Sequence, residues 1–152
     1  MEILAGSEDY IEACIQIAKL LPKHFTDLAR ITMKDDLENE FFYVAKDNDK
    51  VVGFCCVKIK YKSVGEILWL AVVPNKQNLG IGTALIEYIS NKFRQQDIVL
   101  LEVKTLADDS EYPPYELTRK FFKKMGFIHL ETINPYPGWG PDNPCAIYIK
   151  KL

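Results

Sequence analysis

The chain has 152 residues, enough for one domain with a core of its own. It is 48% apolar and 26% charged, as soluble globular proteins are, and a formal net charge of −2 gives no basic field for nucleic acid. No apolar run reaches membrane-spanning length, and Met1-Glu2-Ile3-Leu4-Ala5-Gly6 lacks the basic start and long apolar core of a secretion signal, so a cytoplasmic location is expected.

Ile3-Leu4-Ala5 reads as a short first strand. Ser7 stands where an N-cap belongs, with Glu8 and Asp9 well placed in the first turn. Ile11, Cys14, Ile15, Ala18 and Leu21 then form one apolar helical face, and Pro22 ends the helix. A second helix is expected between Thr26 and Glu38. Its apolar positions, Leu28, Ile31 and Leu37, are sparse, which suits a helix lying over a cleft. Phe41 to Ala45 and Val51 to Lys60 read as strands joined through an Asp47-Asn48-Asp49 turn. A turn near Ser63-Val64-Gly65 leads into a strand from Glu66 to Val73. Pro74 stops that strand, because proline has no N–H for a ladder.

After Gly80-Ile81-Gly82 a helix begins, with Leu85, Ile86, Ile89 and Phe93 on one face. Ile98 to Val103 is an apolar strand interrupted by Glu102, and Ala107 to Pro114 is a loop. Tyr115 to Met125 is a helix, helped to start by Pro113 and Pro114 and ended by Gly126. Phe127 to Ile133 is a strand, Asn134 to Pro144 a proline- and glycine-rich loop, and Cys145 to Lys150 the last strand. This order predicts an α/β fold over residues 1–152, with one mixed, mostly antiparallel sheet flanked by helices. Cys14, Cys55, Cys56 and Cys145 have neither zinc-site nor Cys-x-x-Cys spacing. They read as reduced, buried small hydrophobes, and no metal site is expected.

The stretch from Ile67 to Leu85 carries the chemistry. A strand, a glycine turn and a helix leave free backbone N–H groups at a helix N-terminus, where the dipole favours an anion such as phosphate. Gly80 and Gly82 let backbone approach a ligand with no Cβ in the way. No Gly-Lys-Ser/Thr follows, so this is not a Walker loop. Leu85 stands where a dinucleotide fingerprint needs its third glycine.

Gln77-Asn78-Leu79-Gly80-Ile81-Gly82 resembles the acyl-CoA pyrophosphate loop of the GNAT acetyltransferase superfamily, Gln/Arg-x-x-Gly-x-Gly/Ala. Thr118-Arg119-Lys120-Phe121-Phe122-Lys123-Lys124-Met125-Gly126-Phe127 resembles the family's second signature, a helix reading Phe-Tyr-x-Lys-x-Gly-Phe before a strand. The resemblance implies acetyl-CoA as cofactor and a primary amine, in a small molecule or a peptide, as acceptor. It implies that two central parallel strands, Glu66–Val73 and Ile98–Val103, splay at their C-terminal ends around the acyl chain. It implies main-chain contacts to the cofactor from Val72 and Val73, and a pyrophosphate held by N–H groups of Gln77, Asn78, Leu79, Gly80, Ile81, Gly82 and Thr83. Thr83 reads equally as a helix cap. Arg119 and Lys120 either meet cofactor phosphates or line a solvated helix face. An acyl-CoA-binding module without catalysis is the alternative.

Acetyl transfer to an amine requires the neutral amine. A lysine-like amine of pKa about 10.4 is neutralised at pH 7 only at about 4–5 kcal/mol, so a positioned base is the usual answer. Glu66 is the candidate, fourteen residues before Gly80, a spacing that resembles that of the strand glutamate some GNAT enzymes use. On period-2 alternation it shares a face with Leu68 and Leu70. The competing reading pairs Glu66 with Lys60 or Lys62 across a hairpin. Glu102 is a second candidate base. At Phe122 the chain departs from the resemblance, since many relatives carry a tyrosine there to protonate the leaving thiolate. Phe122 can pack on the pantetheine arm but donates nothing. Tyr115, Thr118 or solvent is left as the donor. His24 and His129 read as structural or surface residues. The Tyr136 and Trp139 loop reads as a wall of the amine pocket, a rigid surface loop or a homodimer contact.

Overall fold

A computed structural model describes residues 1–152. Seven strands form one sheet in the order β1-β2-β3-β4-β5-β7-β6: β1 (Glu2–Ala5), β2 (Phe41–Asp47), β3 (Lys50–Lys60), β4 (Val64–Val72), β5 (Leu100–Leu106), β6 (Ile128–Ile133) and β7 (Cys145–Lys151). Every neighbouring pair is antiparallel except β4–β5. The helices are α1 (Glu8–Lys19), α2 (Asp27–Asn39), α3 (Ile81–Arg94) and α4 (Glu116–Lys124). The expected mixed α/β sheet with flanking helices is the fold observed.

Two apolar clusters divide the molecule. Ile11, Cys14 and Ala18 of α1 and Met33 and Leu37 of α2 pack on Val44, Phe54, Cys56 and Ala71 of one sheet face. Leu85, Ile86, Ile89 and Phe93 of α3 and Phe122 of α4 pack on Val57, Ile67, Leu101 and Val103 of the other. The periodic face read for α3 is thus the buried one. All four cysteines are buried and unpaired.

Several local expectations are corrected. Ser7 has extended N-cap dihedrals, but its side chain makes no capping bond. Thr26 caps α2 instead, accepting from the Ala29 N–H at 3.2 Å. On α2, Leu28 and Ile31 are 73% and 69% exposed. Met33 joins Leu37 on the buried side, since a spacing of four keeps them on one face. The turn before β4 is Tyr61–Ser63, with Tyr61 and Lys62 at φ of 50° and 68°. Val64 and Gly65 already belong to the strand. β5 begins and ends later than expected, so Lys104 and Thr105 are strand residues. Tyr115 falls in a 3-10 turn, Pro113–Tyr115, ahead of α4.

β4 and β5 pair only from Val64 with Leu100 to Ile67 with Val103. Beyond that point both strands continue without each other. The parting coincides with a bulge: Cys56 faces Trp69 while Val57 faces Ile67, leaving Leu68 as the extra residue. A bulge bends its strand and adds twist, which turns β4 away from β5. It also shifts the side-chain alternation, so the expectation that Glu66 shares a face with Leu70 is corrected. Leu68 and Trp69 border the α1/α2 cluster, and Leu70 borders the α3/α4 cluster.

Candidate active site

The fork between β4 and β5 has two sides, each built from sequence-local features. At its mouth, Val73 N–H donates to the Val52 carbonyl at 2.9 Å, while Val72 faces Gly53 and Leu70 faces Cys55. Facing residues of an antiparallel ladder alternate between bonded and non-bonded pairs. Val73, Ala71 and Trp69 therefore bond β3. Leu70 and Val72 turn their N–H and C=O groups toward the gap that β5 has left. The Val72 expectation is compatible with this geometry. Val73 differs, with its N–H bonded to β3 and its carbonyl accepting from Lys76 N–H at 3.0 Å. Leu70 was missed, since its main-chain direction depends on a bulge that no local pattern announces. The Gln77 side chain donates to the Val72 carbonyl at 3.2 Å.

Next to the gap lies the start of α3. Asn78 and Gly80 have φ of 61° and 84°, and this left-handed pair swings the chain from a 3-10 turn (Pro74–Lys76) into the helix. No side chain caps α3, so the cap reading of Thr83 is corrected: Gly80 occupies the N-cap position. Helix geometry then leaves the N–H groups of Ile81, Gly82 and Thr83 without intrahelical partners. Gln77, Asn78, Leu79 and Gly80 are exposed. Space beside Gly80 is open, whereas a Cβ on Gly82 would come to 3.3 Å from the Phe121 ring. These residues fit a diphosphate: bare N–H groups, a positive helix end and no side chain in the way.

At the root, Glu66 is 5% exposed and belongs to a ring of four charges on three strands. Lys60 Nζ lies 3.2 Å from Glu66 Oε1 and 2.8 Å from Glu102 Oε2. Lys104 Nζ lies 2.9 Å from Glu66 Oε2 and 3.1 Å from Glu102 Oε1. Lys60 is thus the hairpin partner considered for Glu66; Lys104 was missed because β5 was read as ending at Val103. Lys60 is within ion-pair reach of Oε1, the buried oxygen of the pair that accepts no hydrogen bond. Burial acts to raise the Glu102 carboxyl, but Lys60 and Lys104 outweigh it and hold it below its ordinary value. Burial likewise acts against the Lys60 and Lys104 ammonium groups, and the two carboxylates outweigh it and push both upward.

The second signature turns Phe122 and Arg119 inward. Phe122 is 3% exposed and packs edge-on against Phe121 and Phe127 in the core. Phe121, missed in the sequence, is the ring beside the loop. The Tyr115 hydroxyl donates to the His24 carbonyl at 2.7 Å, and His24 Nε2 meets the Pro114 carbonyl at 3.0 Å. The Tyr115 proton is thus directed to the α1–α2 connection. Burial pushes this phenol up. Arg119 is also turned inward, donating to the Leu106 carbonyl at 2.8 Å. It borders a polar cavity of about 470 Å³ with Lys120 and Lys123, and Lys120 pairs with Glu116 at 3.1 Å. Trp69 Nε1 donates to Asp36 Oδ2 at 2.6 Å on the face that Glu66 shares. Tyr136 and Trp139 stack edge-on within their own loop. No group of histidine, cysteine and carboxylate side chains could hold a metal ion. No helix is long and apolar enough to cross a membrane.

The acetyltransferase (GNAT) domain model matches residues 38–129, from the end of α2 through the loop, α3 and the second signature. An uncharacterised N-acetyltransferase of Methanocaldococcus jannaschii is 30% identical over 113 residues, which are 72% of this chain and 65% of that protein. The chain therefore spans less than two thirds of that relative. Among solved structures, an acetyltransferase assigned to the GNAT family from Desulfovibrio desulfuricans superposes with a TM-score of 0.86 at 17% identity, covering 99% of each chain. An aminoglycoside 6′-N-acetyltransferase complexed with coenzyme A superposes at 0.78 and 18%, covering 99% of this chain and 97% of that one. At such identities the two superpositions speak for the fold alone, and the domain match supplies the family. With that match spanning the loop and both strands of the fork, the chain belongs to the GNAT acetyltransferase family.

Proposed function

We propose that the chain is an N-acetyltransferase that moves the acetyl group of acetyl-CoA to a primary amine by direct attack. The observation that carries this reading is the open fork, with the main-chain groups of Leu70 and Val72 turned into the gap beside the uncapped N-terminus of α3. The N–H groups from Gln77 to Thr83 bind the diphosphate. The pantetheine arm runs into the gap and bonds the exposed edge of β4, as a short added strand does. A main-chain N–H of that edge meets the thioester carbonyl and stabilises the oxyanion as it forms.

Glu66 is the general base. It accepts the amine proton at Oε1, directly or through a water, because Oε2 is hydrogen-bonded to Lys104 while Oε1 has Lys60 beside it at 3.2 Å but accepts no hydrogen bond. Attack then comes from the α1/α2 face, where Trp69 and Asp36 border the approach. An aromatic ring and a half-buried carboxylate suit an acceptor that carries positive charge, such as an aminoglycoside, a polyamine or a peptide amine. The second reading, an acyl-CoA-binding module without catalysis, is favoured only by the missing hydroxyl at Phe122.

Calorimetry with acetyl-CoA and thiol release with a panel of amines separate the two. The enzyme reading expects binding together with amine-dependent release of coenzyme A. Binding without release from any amine supports the module, and no heat at all removes both.

A further inference from the structure

Three buried side-chain polar atoms lack a hydrogen-bond partner: Glu66 Oε1, Ser90 Oγ and Thr105 Oγ1. Ser90 lies within α3, toward its C-terminal end. The other two flank the fork. Thr105 is only 4% exposed, and a hydroxyl sealed from water without a partner is disfavoured where valine would fill the same space.

The position of Thr105 is specific. Pairing between β4 and β5 ends at Val103, so Thr105 stands on β5 just after the strands have parted. Alternation puts it on the Val103 side of the sheet, and its register partner on β7 is Ala146. Val103 and Ala146 belong to the cluster that holds Ile81 and Leu85 of α3 and Phe122 of α4. The hydroxyl therefore lies on the α3/α4 face, from which the Gln77–Thr83 loop would deliver a cofactor. Glu66 lies on the opposite face, at the paired root and within ion-pair reach of Lys60, so Thr105 is the one of the two that stands beyond the pairing.

We infer that Thr105 is the hydrogen-bond donor to the sulfur that leaves during acetyl transfer, the task for which Phe122 has no hydroxyl. The inference rests on the acetyltransferase reading above. The amine nitrogen attacks the thioester carbonyl carbon, a C–N bond forms, and the C–S bond breaks with its electron pair on sulfur. The amine proton passes to Glu66. Thr105 keeps its own proton and directs it at the thiolate. No strong acid is needed, because the conjugate thiol has a pKa of only about 8.5, and the sulfur takes its proton from solvent after release. Tyr115 does not compete, since its hydroxyl is bonded to the His24 carbonyl.

The test compares wild type, Thr105→Val and Thr105→Ser. Calorimetry at the thiol's pKa uses coenzyme A and desulfo-coenzyme A, in which hydrogen replaces the thiol. Turnover uses acetyl-CoA with the best amine among spermidine, kanamycin and a short peptide. Wild type is expected to prefer coenzyme A over the desulfo form by about fivefold or more. Thr105→Val loses that preference and about tenfold in kcat, keeps its KM for acetyl-CoA, and melts no lower than wild type; Thr105→Ser restores both. A Thr105→Val enzyme with the wild-type preference and the wild-type kcat overturns this inference and leaves the enzyme reading intact. A wild-type protein that binds neither form of the cofactor overturns the enzyme reading itself.

Discussion

The root and the mouth of the fork are made from the same two strands and behave oppositely. At the root, four residue pairs bond β4 to β5, and Lys60, Glu66, Glu102 and Lys104 close a ring of charge over the pairing. At the mouth, β4 runs on to Val72 and β5 to Leu106 with nothing bonded between them. One extra residue at Leu68 separates the two regimes. The lesson is that unsatisfied backbone at the mouth is tolerated because the root is overdetermined. A sheet interior with open N–H and C=O groups is unfavourable unless a ligand or water completes it.

The largest expected effect comes from the root. Glu66→Gln is expected to lower turnover by about a hundredfold or more, the range of a lost general base, with acetyl-CoA affinity within about twofold of wild type. Steady-state rates with the best amine and calorimetry with acetyl-CoA measure the two separately. A rate that stays near wild type at every pH takes Glu66 out of the chemistry.

A change at the mouth should do the reverse. Gly82→Val brings branched bulk where even a Cβ comes to 3.3 Å from Phe121, inside the proposed diphosphate cradle. Acetyl-CoA affinity is expected to fall about tenfold or more, the equivalent of one lost charge-assisted contact, while kcat at saturation changes less. Equal affinity for wild type and variant in a calorimetric titration would move the diphosphate away from α3.

The ring also predicts how stability follows pH. Glu102 is held below its ordinary value of 4.5, so its contribution is present above that pH and lost as pH falls through the lowered value. Lys60 and Lys104 are held above 10.5, so their contribution is present below that pH and lost as pH rises through the raised values. Lys104→Met is expected to lower stability at neutral pH by about 1–3 kcal/mol, because it strips Glu66 Oε2 of its partner. The deficit should shrink as pH falls through the lowered Glu102 value, which makes the variant's acid limb shallower than that of wild type. Melting curves from pH 3 to 7 check both, and an unchanged acid limb would mean that the ring does not hold the root.

The smallest effect is assigned to Tyr115→Phe. It removes one hydrogen bond to the His24 carbonyl, worth about 1 kcal/mol, and should leave kcat within about twofold. A drop in kcat of tenfold or more would return the hydroxyl to the reaction and weaken the case for Thr105.

The sequence alone was sufficient for the family's two signatures, the order of strands and helices, and the buried face of α3. Each depends on neighbours in the chain: glycine freedom in a turn, proline stopping a strand, apolar residues recurring at helical spacing. Glu66 entered as a candidate by its distance from Gly80, and the pairing with Lys60 that the sequence offered as its other reading is present in the fold. What the sequence could not decide is where groups point across the sheet. The bulge at Leu68 turns Trp69 onto the face of Glu66 and Leu70 onto the other, and no local residue type demands it. The reach of Lys104 to Glu66, the tie of Tyr115 to His24 and the isolation of the Thr105 hydroxyl join segments far apart in the chain. Such contacts follow from register and packing, which only the folded sheet fixes.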